Sequence, residues 1–286
     1  MASWTNATAL DRAATLRGLL RPAETATRAG LRRDAPVSEP LRPFVERYWS
    51  VRWDLTGQPP FRSEVLSHPS VNVSVETGTE PRFGFALPAV LLHGVVTRRF
   101  VVDLTGAGRV TAVKFRPGGF PALTGALPGR NTVEPVGDRL GLPAARLLDD
   151  VLAPEDDDAR AAVLDAALLP LASEPADAYL DLLGLIDAMI SDRELVRVDQ
   201  VAALGGISVR SLQRLFAGYV GVTPKAVLAR YRLQDAAAAI DAGNGDDLAA
   251  LAASLGWFDQ AHFSRDFRAV VGVPPSEYLR QARRVP

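Results

Sequence analysis

The feature of this sequence that most restricts its fold is an internal repeat near the C-terminus. Ala202 and Gly206 recur 50 positions later as Ala252 and Gly256. Eight further positions recur 51 positions later: Leu212, Arg214, Phe216, Val220, Gly221, Val222, Pro224 and Leu228 become Phe263, Arg265, Phe267, Val271, Gly272, Val273, Pro275 and Leu279. One residue is therefore inserted between the two groups of matches. Such a repeat predicts two copies of one small folding unit.

Each copy has the pattern of a helix, a glycine turn and a second helix. Gly205 and Gly206 separate the two helical segments of the first copy, and Gly256 takes that place in the second. The predicted N-caps are Asp199 and Ser208 in the first copy, and Asp246 or Asp247 followed by Asp259 in the second. Between the copies, the pair at 223–224 predicts the start of a long helix that runs to about Ala242 and ends at Gly243. Two helices joined by a short glycine turn are the helix-turn-helix unit.

Residues from about 193 to 284 resemble the DNA-binding domain of AraC-type transcription regulators. The resemblance rests on the two copies, each with a Gly-Val-x-Pro segment, and on residues 256–267 (GWFDQAHFSRDF) and 272–279 (GVPPSEYL). It implies double-stranded DNA as the partner, with the N-terminal half of each second helix in the major groove. The two recognition helices would lie about one DNA turn apart, roughly 34 Å.

Seven side chains match positions of that family that approach bases or phosphates: Arg210, Gln213, Arg214, Gln260, His262, Ser264 and Arg265. Arginine can form two hydrogen bonds to guanine, and glutamine can form two to adenine. Other interpretations stay open at this point. Arg214 and Arg265 could pair with a core carboxylate or a phosphate, the glutamines could be solvated, and His262 could pack against its neighbours.

The region from about Leu41 to Glu134 has the pattern of short strands. Val71, Val73 and Val75 alternate with polar residues. Phe100, Val102 and Leu104 alternate likewise, which predicts a hairpin whose loop is 105–108 and whose second strand runs over 110–115. Residues 115–120, with His93 and Gly94, resemble a cupin-like sensor domain of the same regulators. We therefore expect an α+β protein: a β-rich, cupin-like N-terminal domain with flanking helices, then an all-α domain of two helix-turn-helix units joined by a long helix.

This organisation predicts four segments. They are an arm over 1–40, a β-rich sensor domain over 41–135, an acidic helical linker over 136–192 and a DNA-binding domain over 193–286. The arm has a short amphipathic pattern from Leu10 to Leu20 that Pro22 interrupts. The linker predicts helices over 140–152, 159–171 and 176–191, and residues 150–194 carry 12 acidic and 2 basic side chains. These helices form either a packed bundle or a homodimer interface.

Three residues of the sensor domain are candidates for binding a small-molecule effector. Arg116, beside two glycines, could hold an anion, although a turn that closes a strand explains the same residues. Trp49 and Trp53 could line an apolar pocket, although core packing is the simpler explanation of both. His68 and His93, with Glu64 or Glu76, could form a site of two histidines and one carboxylate. These four residues lack ligand spacing, and we predict no metal or cofactor.

The composition removes several classes of function. The 286 residues include no cysteine, which excludes disulfides, thiolate zinc sites and a cysteine nucleophile. We identify no catalytic arrangement and expect no enzyme. The sequence has no apolar run long enough to span a membrane and no signal-peptide core in its first 20 residues, so we expect a cytoplasmic protein.

The sequence therefore predicts a bacterial DNA-binding transcription regulator that is controlled by an effector in the N-terminal domain. Its expected partners are double-stranded DNA, RNA polymerase and a second copy of the chain. The alternatives are an architectural DNA binder without an effector and a cupin-type enzyme fused to a DNA-binding module. A sensor domain without a cavity would favour the first, and a metal or turnover that depends on the histidines would favour the second.

Overall fold

The computed structural model of the protein describes residues 18–283. Its strands are β1 (Gly30–Ala35), β2 (Val45–Leu55), β3 (Phe61–Val65), β4 (Asn72–Gly78), β5 (Ala89–His93), β6 (Phe100–Leu104), β7 (Gly106–Phe115) and β8 (Val133–Pro135). Its α-helices are α1 (Pro22–Arg28), α2 (Gly119–Thr124), α3 (Ala144–Leu152), α4 (Asp157–Leu168), α5 (Asp177–Ser191), α6 (Val198–Leu204), α7 (Val209–Leu215), α8 (Pro224–Asp241), α9 (Leu248–Ser254), α10 (Gln260–Val271) and α11 (Pro275–Ala282). The predicted α+β class, β-rich first and helical afterwards, is confirmed.

The β-rich part consists of a six-stranded antiparallel sheet in the order β1-β2-β7-β4-β5-β8 and a two-stranded sheet of β3 and β6. The two sheets share an apolar cluster that includes Phe61 and Leu104 on the small sheet and Trp53 and Ala112 on the large one. Side chains alternate between the faces of a strand, so the large sheet presents one face to the small sheet. Its other face carries Val73 and Val113 into a separate core.

The predicted hairpin between residues 100 and 115 is wrong. Strand β6 pairs with β3, whereas β7 pairs with β2 on one side and β4 on the other. Both edges of β7 are therefore occupied by β2 and β4, which belong to the large sheet and are longer than β6. Only Thr105 separates β6 from β7, and the chain passes there from the small sheet to the large one. Alternation identified both strands but carried no information about their partners.

The arm also differs from its prediction. Most of the amphipathic pattern from Leu10 to Leu20 lies outside the described residues. Pro22, which we expected to interrupt a helix, instead begins α1, because proline fits the first turn of a helix. Strand β1 then pairs with β2, so the large sheet begins at Gly30, ahead of the strand-rich region predicted from about Leu41.

Helices α3 and α4 pack on the second face of the large sheet, and α5 packs against α6, α7 and α8. All three form one continuous core with the sheet, in which Leu164 and Ile186 lie with Val73 and Val113. The three helices correspond to the helical segments predicted in the acidic linker. The first helix-turn-helix unit joins the same core through side chains that include Leu212.

The two C-terminal units have the predicted order of helices. Ser208 caps α7, Asp247 caps α9 and Asp259 caps α10, each by accepting a backbone N–H hydrogen bond, as predicted. Asp199 is not a cap: α6 begins one residue earlier, and the Gln200 side chain accepts a hydrogen bond from the backbone N–H of Arg197. Helix α7 continues as a π-turn over 216–220. The long helix α8 links the units.

Within the described chain, no helix is both long and apolar enough to cross a membrane.

Candidate DNA interface and effector cavity

The recognition helix of the first unit is α7. Leu212 is fully buried beneath it, and Arg210, Gln213 and Arg214 are exposed on its outer side. The Arg214 guanidinium donates a 3.4 Å hydrogen bond to the hydroxyl of Ser211, one turn earlier. The exposed side therefore presents two guanidinium groups and an amide to solvent.

The recognition helix of the second unit is α10. Phe263 and Phe267 are fully buried, whereas Gln260, His262 and Arg265 are exposed and Ser264 is half-buried. The Asp259 carboxylate accepts a 2.6 Å hydrogen bond from the backbone N–H of His262, which fixes the first turn.

Two of the alternative interpretations left open by the sequence concern charged or ionisable residues of this exposed face. Over residues 18–283 no ion pair joins Arg214 or Arg265 to a carboxylate, so core pairing finds no support there. The His262 ring does have a partner, because its Nε2 lies 3.3 Å from the Asp266 carboxylate. That carboxylate also accepts a 3.0 Å hydrogen bond from the Trp257 indole. His262 is therefore held at the edge of the exposed side.

Phe258 is a residue of this face that the sequence prediction missed. The backbone N–H groups of Ile207 and Trp257 donate equivalent 3.0 Å hydrogen bonds to Ala202 and Ala252, so these residues correspond in the two units. The inserted residue of the second copy is therefore Phe258. Its side chain is 94 % exposed and directly precedes the cap of α10. The change in repeat offset from 50 to 51 was the signal that could have located it.

A cavity of about 170 Å³ lies between the two sheets of the N-terminal domain. Its lining includes Trp49 and residues of β3, β4, β6 and β7. Trp53 and Arg116 are not among the lining residues. The Trp53 indole donates to the Thr105 carbonyl at 3.1 Å, and the Arg116 guanidinium donates to the Arg42 carbonyl at 2.8 Å.

The histidines of this domain have separate surroundings. His93 lines the cavity, where its Nε2 is 2.7 Å from the Ser74 hydroxyl and 3.3 Å from the Glu76 carboxylate. The His68 ring instead lies edge-on against Tyr231 of α8. In the part of the chain that the structure describes, no three histidine or carboxylate side chains form a group suited to a metal ion.

The linker helix α8 is bonded to the N-terminal domain by a buried guanidinium. Arg230 is 5 % exposed and donates to the backbone carbonyls of Val96 at 2.6 Å and Arg98 at 3.1 Å. Burial lowers the pKa of Arg230 to about 10, which leaves it charged at neutral pH. Gln234, one turn later, donates to the Leu66 carbonyl. These contacts join residues that are far apart in the chain, so no local sequence pattern predicts them.

The second unit is bonded to the same side of the N-terminal domain. The Arg99 guanidinium forms a 2.8 Å ion pair with Glu64 of β3, and its backbone N–H donates to the Val270 carbonyl in α10 at 2.9 Å. The Tyr278 hydroxyl of α11 accepts a 3.4 Å hydrogen bond from the backbone N–H of Arg21. The N-terminal segments that form hydrogen bonds with α8, α10 and α11 therefore lie beside β3 and β6.

Comparison with known families bears on both domains. A family model described as a helix-turn-helix domain matches residues 201–281. Residues 201–281 are an AraC-type helix-turn-helix domain. The AraC-type domain contains both recognition helices and the linker helix, and it identifies the chain as a DNA-binding transcription regulator. A second model, described as a domain of unknown function (DUF6597), matches residues 33–132, which lie in the β-rich domain.

Solved structures similar to this chain include AraC-type proteins. An AraC-type transcriptional regulator from Chromobacterium violaceum is 24% identical over 37% of this chain and 94% of its own, with a TM-score of 0.34. The C-terminal domain of AraT from Geobacillus stearothermophilus is 22% identical over 38% of this chain and 88% of its own, with a TM-score of 0.32. ToxT from Vibrio cholerae is 11% identical over 89% of this chain and 97% of its own, with a TM-score of 0.41.

Proposed function

We propose that the two recognition helices bind adjacent major grooves of one DNA site and that a small molecule in the cavity between the sheets controls this binding. The observation that carries the proposal is that α7 and α10 each have an exposed polar face and that one helix joins their two units. Helix α8 has 18 residues, which span about 27 Å at 1.5 Å per residue. That length is close to the roughly 34 Å between successive major grooves on one side of DNA.

The control by a small molecule is supported by the way the two units are attached. The first unit packs in the core behind the large sheet, where Leu212 and Phe216 lie with Ile186. The second unit is bonded to the neighbours of the small sheet, through Arg99 among others. The cavity lies between these two sheets. A ligand that changes the separation of the sheets therefore changes the position of one unit relative to the other.

A ligand alters DNA affinity only if it binds the two arrangements with different affinities. The cavity can accommodate such a ligand. For this reason we favour a regulator controlled by an effector over an architectural DNA binder without one. We attach no catalytic role to the cavity, because the two histidines considered for such a role have separate surroundings.

A homodimer and a contact with RNA polymerase are parts of the same proposal. Leu169 and Leu180, beside and within the acidic helices, are large apolar side chains that are more than one-third exposed. Pairing of two copies through these helices would cover them. Sedimentation of the wild type beside a Leu169→Ser/Leu180→Ser variant tests the dimer, which is refuted if both sediment as monomers.

The DNA proposal is tested by fluorescence-anisotropy titration of promoter DNA across a salt series. The double variant Arg214→Ala/Arg265→Ala is compared with the wild type, and Arg280→Ala, an exposed arginine on α11, is the control. We expect sequence-selective binding by the wild type and the control, with loss of selectivity and a smaller salt slope in the double variant. Equal binding by all three proteins, weak and abolished by salt, would refute the assignment of these helices.

A further inference from the structure

Phe258 is an apolar side chain that is exposed at the start of the second recognition helix. It is 94% exposed, and the next most exposed large apolar residue within residues 18–283 is Leu204, at 57%. Removing a phenylalanine side chain from water is favourable, and this fold does not do so at Phe258. A partner outside the chain can gain that free energy, and the position of Phe258 indicates which partner it is.

The chain on both sides of Phe258 is fixed by contacts within the second unit. The preceding residue, Trp257, is buried, and its indole donates a 3.0 Å hydrogen bond to the Asp266 carboxylate. The following residue, Asp259, caps α10 by accepting a 2.6 Å hydrogen bond from the backbone N–H of His262. Phe258 is therefore attached to a rigid piece of backbone, so it loses little conformational freedom when its ring binds a partner.

The place of Phe258 in the second unit points to DNA as that partner. In helix-turn-helix proteins, residues at the N-terminal end of the second helix contact base edges in the major groove. Phe258 directly precedes the cap of α10, and Gln260, the first residue of the helix, is exposed as well. The first unit has no counterpart, because its cap Ser208 directly follows Ile207. A contact made by the ring is thus confined to the half of the DNA site that α10 reads.

The chemistry of the ring restricts the base that it can contact. A phenylalanine side chain has no hydrogen-bond donor or acceptor. Guanine, adenine and cytosine present polar atoms in the major groove, whereas thymine also presents its C5-methyl group, which apolar side chains contact. A ring placed over polar atoms removes water from them without supplying a hydrogen bond, which costs free energy. A ring placed over the methyl group instead buries apolar surface on both partners.

We infer that Phe258 is a specificity-determining residue whose ring contacts the C5-methyl group of a thymine in the major groove that α10 enters. This inference rests on the proposed function, because it takes α10 as a recognition helix. It predicts a DNA site that is asymmetric: the half read by the second unit requires this thymine, and the half read by the first unit does not. Burial of one methyl group against the ring corresponds to about fourfold tighter binding.

The test begins with the selection of DNA from a library of random duplexes by the full chain. The proteins compared are the wild type, Phe258→Ser, Phe258→Leu and the control Val101→Ser, which removes an exposed apolar side chain of β6. We expect the wild type and the control to select the same two-part site, with a thymine required at one position of one half. Phe258→Ser should lose that requirement and keep the rest of the site, and Phe258→Leu should retain the requirement in part.

Replacement of single thymines by deoxyuridine in the selected site then isolates the methyl group. Uracil has the hydrogen-bonding groups of thymine and lacks only the C5-methyl group. At one position, we expect this replacement to weaken binding by the wild type about fourfold. The same replacement should leave binding by Phe258→Ser unchanged, because the ring that contacts the methyl group is absent. The other thymines of the site are the controls, and their replacement should affect both proteins alike.

Three results would overturn the inference, and a fourth would refute the proposed function as well. If Phe258→Ser selects the wild-type site with wild-type affinity, the ring does not read a base. If that variant also loses activation in transcription with purified RNA polymerase, the ring contacts the polymerase instead. If it loses affinity equally for every sequence, with no effect of deoxyuridine in either protein, the ring lies on the sugar–phosphate backbone. If the wild type selects no common site, the proposed function fails and this inference fails with it.

Discussion

Replacing Arg230 by methionine tests whether one buried guanidinium couples the cavity to the DNA-binding domain. Arg230 lies on the linker helix, and its two hydrogen bonds reach the carbonyls of Val96 and Arg98. Val96 also lines the cavity. Methionine keeps the aliphatic part of the side chain and its packing, so the substitution removes mainly the two hydrogen bonds and the charge.

The expected loss of free energy follows from the two hydrogen bonds of Arg230. A hydrogen bond from a charged donor contributes about 1.5–3 kcal/mol. The two carbonyls lie in the segment between β5 and β6, where water can replace part of the lost bonding once the guanidinium is gone. We therefore take the lower end for each bond, which gives about 3 kcal/mol for the interface between the domains. A loss of this size shifts an equilibrium constant for docking of the domains by roughly 150-fold.

Scanning calorimetry of the full chain measures the coupling. We expect the unfolding of the wild type to be dominated by one transition, and that of Arg230→Met to separate into two as the domains unfold independently. In the same variant, the dependence of DNA affinity on a cavity ligand should disappear while DNA binding itself persists. Arg232→Met is the matched control, because Arg232 donates to Gly256 and stacks on Trp257 within the DNA-binding domain.

The control variant should lower the stability of the second unit without separating the domains. The reasoning is refuted if Arg230→Met unfolds in a single transition at the wild-type midpoint. It is refuted equally if Arg232→Met uncouples the domains to the same extent, because the effect would then come from the stability of α8 and not from its contact with the N-terminal domain.

Three other perturbations give separate tests. Burial raises the pKa of Asp241 from its ordinary 3.8 to about 6. Since the folded state holds this proton more tightly, the stability it contributes is lost as pH rises through 6. Urea unfolding from pH 4 to 7 should show the wild type losing up to roughly 3 kcal/mol relative to Asp241→Asn, and a constant difference would contradict this. Phe258→Ser should change the unfolding free energy by less than about 0.5 kcal/mol while it weakens DNA binding, because the exposed ring precedes the cap of α10; unchanged DNA affinity would remove Phe258 from the interface. Asp259→Ala should cost about 1 kcal/mol in thermal unfolding and Asp259→Asn much less, and equal losses would show that the cap bond is not the cause.

The C-terminal domain could be predicted from the sequence because its signals are local. Caps such as Ser208 and Asp259 act on the backbone of the next three residues, and the repeat supplied each signal twice. Asp199 shows the limit of this method. A carboxylate near a helix start suits the helix dipole anywhere in the first turn, so composition located the turn and missed the cap by two residues.

The candidate sites of the N-terminal domain could not be predicted in the same way. Trp49 and Arg47 belong to one strand and line the cavity, but only the register of β2 against β7 brings Lys114 beside them. A β-bulge at Glu46 is a property of that pairing and has no signature in the sequence of either strand. Arg116 lies beside turn residues, which made it a candidate for binding an anion. Its guanidinium instead donates a hydrogen bond to the Arg42 carbonyl, and it does not line the cavity.

The nature of the two attachments decides which unit moves when the cavity is filled. The first unit is held by interlocked apolar side chains, including Leu212 and Phe216, in the core behind the large sheet. Separating such packing costs about 25 cal/mol for each Å² of apolar surface exposed. The second unit packs on Leu20 and Leu66 of the N-terminal part and is otherwise attached by hydrogen bonds such as the one from the Arg99 backbone N–H to the Val270 carbonyl. Water can replace part of that bonding once the contact opens. A ligand that displaces the small sheet should therefore release or reorient the second unit, while the first unit stays fixed to the large sheet.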